Sequence, residues 1–390
     1  MNYNKTLVFV ASCVAIFIFG ISLITLGAIL PQLSADYGLS EINKGTLASL
    51  LPLGILVGSL LFGPIVDRYS YRYLLPASVI LILIGFLIIS LAQSFLYLAF
   101  SFLIIGTGGG MINGAASALV ADFSADYKEN KGSNLSLMGA FFGLGALGMP
   151  LVLSLLSPLF NYREIIGGIG IFMIIPMIFL IIIRYPAPKQ VSTISINHLG
   201  TMLRDTVFLL FSFILFFQSG WESLMNNWTT TYLIDHKHMM ESLSLGVLTF
   251  FVAMFTLGRF SVGVLLKKFS PKTVLTISSL VALVGGIFLA MTSSNVMTIA
   301  SVGIIGFGLA AGFPVVLGVI GDRFPSWSGT AFGIALTIAL TGNILINYIT
   351  GIVTENFGIG AFSWSLILSG LFTVLLIVIS FSKHKLKFNE

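Results

Sequence analysis

Of the fourteen acidic residues in this sequence, all but one fall in polar stretches or at the edges of apolar runs. The exception is Glu222, near the middle of a long apolar run. A carboxylate held at bilayer depth is expensive and is kept for a purpose. Gln218, Glu222 and Asn226 follow at i, i+4 and i+8, so a helix presents them as one polar stripe. Trp221, Asn227 and Trp228 flank that stripe. Indole rings pack on the apolar face of a sugar ring, while amide and carboxyl groups hydrogen-bond its hydroxyls. Glu222 is therefore expected to hold a solute, to carry a coupling proton, or both. The plain alternative is a structural carboxyl hydrogen-bonded between helices.

Other buried amides extend the candidate set. Asn343 and Asn347 form a second i, i+4 pair, followed by Tyr348, and Asn113 lies inside an earlier apolar run. Buried amides need partners; a solute could supply them, and so could a neighbouring helix. Ser22 and Thr25 in the first run are less distinctive. His236 and His238 lack a visible third ligand, so a solvated loop is expected there and no metal. Gly106-x-Gly108-Gly109-Gly110 sits in an apolar run with no following Lys-Ser/Thr, which points to helix packing and not to a nucleotide. No cofactor, no nucleophile–base set and no enzymatic activity are expected. The lone Cys13 rules out an intrachain disulfide.

The elements that must position these groups follow from composition. Of 390 residues, 57% are hydrophobic and 8% charged, against about 25% charged in soluble domains. Such a surface needs lipid as its solvent. Twelve segments have the length of a membrane-crossing helix, approximately 6–30, 43–66, 72–92, 95–121, 133–158, 162–184, 205–233, 242–267, 271–292, 295–321, 327–354 and 360–382. The first is too long for a signal-peptide core and is expected to be retained. The connection 185–204, with Pro186, Pro188 and a Ser/Thr-rich stretch, separates residues 1–184 from 205–390. Lys and Arg fall overwhelmingly on one side; the other holds Lys44, Arg163 and Lys237, and Arg259 lies within the eighth segment, about 12 Å from its basic end. The bias places both termini in the cytoplasm, with no basic stripe suited to nucleic acid.

The two halves repeat. At an offset of 200 residues Gly58 meets Gly258, Gly63 meets Gly263, Gly85 meets Gly285, Gly106 meets Gly306 and Gly108 meets Gly308. Ser70 meets Ser270, Asp122 meets Asp322, Arg68 meets Lys268 and Arg72 meets Lys272. With an even number of spans in each half, the expected architecture is all-α: twelve transmembrane helices in two parallel pseudo-repeated six-helix bundles, with a solute site between them.

The loop after the second segment reads Gly63-Pro-Ile-Val-Asp67-Arg68-Tyr-Ser70-Tyr71-Arg72. It resembles the Gly-x-x-x-Asp-Arg-x-Gly-Arg-Arg hallmark of the major facilitator superfamily, with Ser70 and Tyr71 as departures. A degraded copy runs from Gly263 to Lys272. The stretches Gly108–Asp122 and Ala140–Pro150, with Phe313-Pro314, Phe324-Pro325 and Ser328–Ala331, resemble the fucose–proton symporter and related sugar porters. This branch usually has an acid in helix one or four; here helix one has none and helix four carries Asn113.

The resemblance implies a multi-pass inner- or plasma-membrane secondary transporter, working as a monomer by alternating access. It would move a small-molecule solute, a sugar or related hydroxylated compound, by proton-coupled symport. Proton-coupled efflux of amphiphiles is the alternative within transport. A receptor or sensor on the same fold is the alternative outside it; such a protein is expected to carry a soluble signalling domain, and only a short tail follows Phe381. The resemblance also implies gating by charges at the cytoplasmic helix ends: Asp67, Arg68, Arg72 and Asp122, with Asp322 and Arg323 in the second half. Arg259 is expected to join that network or to snorkel.

Overall fold

The computed structural model describes residues 3–126, 131–186, 200, 202–324 and 328–386. Most of the connection 185–204, including Pro188 and the Ser/Thr-rich stretch, lies outside the described residues. Among those described there is no strand, and twelve spans are long and apolar enough to cross a bilayer. They are Lys5–Tyr37, Glu41–Val66, Arg68–Leu91, Phe95–Ser124, Leu137–Leu156, Tyr162–Ile182, Thr206–Asp235, Glu241–Leu265, Pro271–Met291, Asn295–Arg323, Thr330–Phe357 and Ile359–Ser382. Helices are required here because every backbone group at bilayer depth must be paired internally. Leu91, Leu96, Leu155 and Ile182 are among many large apolar side chains facing outward, as lipid demands.

Local signals set the ends. Asn4, Ser40, Asp205 and Ser270 cap helices by accepting a backbone N–H two or three residues into the first turn, and Asn161 with Glu164 forms a full capping box. The first helix runs seven residues beyond the expected end at 30, through Pro31, and stops where Gly38 takes a left-handed conformation (φ +57°). Two spans are broken. The sixth divides at Met173, ahead of Pro176, and the tenth at Ala310–Ala311, ahead of Pro314. Both breaks fall three or four residues before a proline, where its ring would strike a helical carbonyl.

The chain divides into two compact units, Met1–Val191 and Ser192–Glu390. Within each, the same positions touch at the 200-residue offset. A Cβ added to Gly58 would strike Thr107 and Met111; at Gly258 it would strike Phe307 and Ala310. Gly106 faces Leu51 and Gly54, and Gly306 faces Phe251 and Met254. Gly108 lies on Ser78 and Ile82, Gly308 on Ser278 and Ala282. Gly85 meets Ile105 and Gly285 meets Ile305; Gly20 meets Phe142 and Ala146, and Gly220 meets Ile346. The glycines are therefore contact points of a duplicated scaffold, where bare backbone lets helices approach closely.

Candidate functional site

The seventh span packs against the eighth, tenth, eleventh and twelfth, all within the second unit. Its polar residues form two clusters. In the first, the Gln218 amide Nε2 donates to Glu222 Oε1 at 2.8 Å and to the backbone carbonyl of Leu309 at 2.8 Å. That carbonyl closes the first half of the broken tenth span. Gly312 opens the second half, and a Cβ there would overlap the Gln218 side chain, with Nε2 only 2.6 Å away. Gln218 is buried, while Glu222 and Asn226 are half-buried. Arg259 from the eighth span lies within electrostatic reach of Glu222. The two make no contact ion pair; Arg259 is exposed, with its guanidinium 4.4 Å from the centre of the Phe255 ring.

The second cluster joins the seventh and eleventh spans. Asn347 Oδ1 accepts from Trp228 Nε1 at 3.1 Å and from Asn227 Nδ2 at 3.3 Å. Asn347 Nδ2 donates to Ser223 Oγ at 2.6 Å and to Asn343 at its backbone oxygen (2.8 Å) and Oδ1 (3.0 Å). Asn227 also donates to Ser223 Oγ at 3.0 Å. Every polar atom of the Asn347 side chain is thereby engaged, and Ser223, Asn227, Trp228 and Asn347 are all buried. Trp221 packs on Gly370 at 0% exposure, its indole N–H without a partner. Both indoles are thus enclosed by protein, and Gly370 leaves the room that the Trp221 ring fills. Asn343 is half-buried and Tyr348 exposed. In the first unit Asn113 is exposed, and Ser22 and Thr25 donate back to the carbonyls of Ile18 and Ile21 in their own helix, both at 2.8 Å.

The charges expected to gate are placed as follows. The Asp67 side chain lies outside the described part of the chain. Arg68 is exposed, 5.3 Å from the centre of the Tyr69 ring, and Arg72 is exposed. Asp122 Oδ2 accepts from the Tyr71 hydroxyl at 2.7 Å, so the residue that departs from the hallmark loop supplies a donor. Arg323 holds Asp205 Oδ2 through Nη2 at 2.6 Å and Nε at 3.1 Å, while Asp322 is exposed. Asp205 also caps the seventh helix at Phe208 N (2.9 Å), which fastens that helix start to the end of the tenth span.

Sequence reasoning missed Ser223, Asp205, Tyr71 and the Leu309 carbonyl. Gly312-Phe313-Pro314 was the available signal for the last, since a proline preceded by glycine marks a break and an accessible backbone. It also missed a cluster at the other end of the first unit. There Tyr37 and Arg163 both donate to the Ala92 carbonyl (2.7 and 3.0 Å), and Tyr162 and Arg163 hold Asp36. The offset repeats it: Lys237 Nζ donates to the Thr292 carbonyl at 2.6 Å.

Comparisons with known proteins agree with this architecture. The chain is 23% identical over 381 residues to the protein TsgA homolog of Buchnera aphidicola, covering 96% of each. It is 22% identical to the glucose/mannose transporter GlcP of Bacillus subtilis, covering 86% of this chain and 85% of that one. It is 23% identical to the probable nitrate transporter NarT of Staphylococcus haemolyticus, covering 89% of each. A crystal structure of a D-xylose–proton symporter superposes with a TM-score of 0.81 at 14% identity, over 96% of this chain and 97% of that one. The family model described as Major Facilitator Superfamily matches residues 12–294 and again 242–385. This chain belongs to the Major Facilitator Superfamily.

Proposed function

We propose that this transporter is a proton-coupled symporter for a small polar solute, a sugar or related hydroxylated compound. The observation that carries the reading is Glu222, a half-buried carboxyl at mid-span that accepts a hydrogen bond from Gln218 and has a cation, Arg259, in reach without a salt bridge. A carboxyl fully committed to an ion pair could not load and release a proton or exchange partners with a solute; this one is free of that commitment. Asn226, Asn343 and Tyr348, each partly open, are the groups assigned in this reading to share the solute with it. Asn227, Trp228, Asn347 and Trp221 form the wall behind them. The charge distribution supports cytoplasmic termini. Relatives named for a hexose and for nitrate fit a small polar cargo, and a carboxylate acceptor beside neutral amides favours hydroxyls over an anion.

The test is a thermal-shift screen of purified protein against pentoses, hexoses, nucleosides and small anions. It is followed by uptake of the hit into proteoliposomes under a pH gradient. A sugar is expected to stabilise the wild type, and Glu222→Gln is expected to lower gradient-driven uptake at least roughly tenfold, the worth of one buried charged hydrogen bond. Driven uptake unchanged in Glu222→Gln, or stabilisation by anions alone, would overturn the assignment.

A further inference from the structure

We infer that Gln218 is a strut between Glu222 and the break in the tenth span, passing the occupancy of the carboxyl to the hinge at Ala310–Ala311. This rests on Glu222 being the proton- or solute-binding group. The geometry is specific. One amide nitrogen spends its two N–H bonds on two different elements, the Glu222 carboxyl on its own helix and the Leu309 carbonyl across the interface. Leu309, Ala310, Ala311 and Gly312 are all buried. Irregular backbone at bilayer depth persists only where protein satisfies it, and Pro314 has no N–H to offer the Ala310 carbonyl. Gly312 is needed because any side chain there would evict the Gln218 amide.

The bond to an ionised carboxylate is the stronger half of the bridge. Neutralising Glu222 with a proton, or capturing it with a solute hydroxyl, weakens the grip that orients the Gln218 amide. The Leu309 carbonyl then loses its fixed donor and the two halves of the tenth span are free to reorient. Of the spans packed on the seventh, the eighth alone brings a charge into reach of Glu222, Arg259; the eleventh presents neutral amides. Gln218 is thus a positioning residue, and the break it braces is a bistable element of the kind that a local change of charge can bias.

Hydrogen–deuterium exchange of the purified full chain tests this without a known solute. Peptides spanning the break are followed at neutral and mildly acidic pH, corrected for intrinsic exchange. Wild type should exchange there roughly tenfold faster in acid, the loss of one charge-assisted bond. Gln218→Met, which keeps the volume and removes the amide, should exchange fast at both pH values, and so should Gly312→Ala. Glu222→Gln should show no pH dependence. Peptides covering Asn227 and Asn347 should match wild type in each variant and certify the fold. Wild-type protection of the break in both Gln218→Met and Gly312→Ala would overturn the strut while leaving the reading of Glu222 intact. A pH-independent wild type would overturn the transmission, and a Glu222→Gln variant unaltered in driven uptake would separately remove the function of the carboxyl.

Discussion

The two units are built on one set of helix contacts and carry different chemistry on it. The first and fifth spans cross in the first unit with Gly20 on Phe142 and Ala146, and further along these spans stand Leu23, Gly27 and Ala28, Gly143 and Leu147. The same positions 200 residues on are Ser223, Asn227 and Trp228, hydrogen-bonded to Asn343 and Asn347. Where the second unit has Gln218 and Glu222, the first has Ile18 and Ser22, and Ser22 simply bonds back to its own helix. Gly114 stands in the place of Pro314, and the fourth helix runs unbroken from Phe95 to Asp126. Close packing by glycine is thus what the duplication preserved, whereas polar groups and the proline break were free to diverge once the scaffold could hold them. Among the described residues, a mid-span carboxyl bridged by an amide to a helix break is found in the second unit alone.

The sharpest way to break that comparison is at the shared glycines. The tightest neighbours of a Cβ at Gly58 are backbone atoms, the Thr107 carbonyl and, at 2.9 Å, Met111 N. At Gly258 the nearest is the Ala310 Cβ at 2.6 Å, with the Phe307 carbonyl at 2.7 Å. Both crossings meet backbone, and the backbone approach at Gly58 is the closer of the two. Gly58→Ala should therefore cost about 3 kcal/mol and Gly258→Ala about 1–2 kcal/mol, within the usual range for overpacking. Thermal unfolding of the detergent-purified variants reads both; equal losses would mean the two crossings are packed equally tightly.

The next test removes the chemistry that only the second unit has. Asn347→Leu strips the acceptor from Trp228 and Asn227 and the donor from Ser223, leaving buried polar groups unpaired at about 1–3 kcal/mol. The measurement is the midpoint of thermal unfolding with and without the stabilising solute. The midpoint should fall while the solute-induced increment is retained, since Asn347 belongs to the wall. Loss of the increment with an unchanged midpoint would instead make Asn347 a direct ligand.

A smaller effect comes from the bond that the halves share but make with different atoms. Tyr37 donates a neutral hydroxyl to the Ala92 carbonyl; Lys237 donates an ammonium to the Thr292 carbonyl and lies 5.5 Å from the centre of the Tyr232 ring. Tyr37→Phe should cost about 1 kcal/mol, because Arg163 still donates to the same carbonyl. Lys237→Met should cost about 1.5–2 kcal/mol, with no second donor to replace a charged one. A thermal-unfolding pair that came out in reverse order would show that Tyr37, and not Arg163, carries the first unit's version.

How much of this was legible beforehand depends on the kind of signal. Membrane length and glycine spacing are properties of the chain itself, so the twelve spans and the repeat could be read directly, and the polar stripe Gln218–Glu222 followed from i+4 spacing. The end of the first helix could not, because Gln32–Tyr37 is polar and Pro31 suggests a stop, while the structure carries the helix past both to Gly38. Asp205 and Arg323 are 118 residues apart, and no periodicity links them. The Leu309 carbonyl has no side-chain identity at all. Asn347 is the instructive case: an amide in an apolar run signals that partners exist, but a solute and a neighbouring helix leave the same trace in sequence.

The smallest expected effect is a pH dependence at the end of the seventh span. His236 follows that span and its ring lies 5.0 Å from the Tyr232 ring and against Gly360. Burial lowers its pKa below the ordinary imidazole value, and the neighbouring Lys237 and His238 push the same way. The folded state therefore favours neutral His236. Its contribution is fully present above the unfolded-state pKa of about 6.5 and is lost as pH falls from there through the depressed folded-state value. The equivalent position in the first unit is Asp36, which accepts from Tyr162 and Arg163. Unfolding midpoints measured from neutral to mildly acidic pH should fall slightly for wild type, and less for His236→Gln, whose amide keeps the shape without the proton. A slope unchanged by His236→Gln would assign the acid sensitivity elsewhere, and Glu222→Gln would then be expected to remove it.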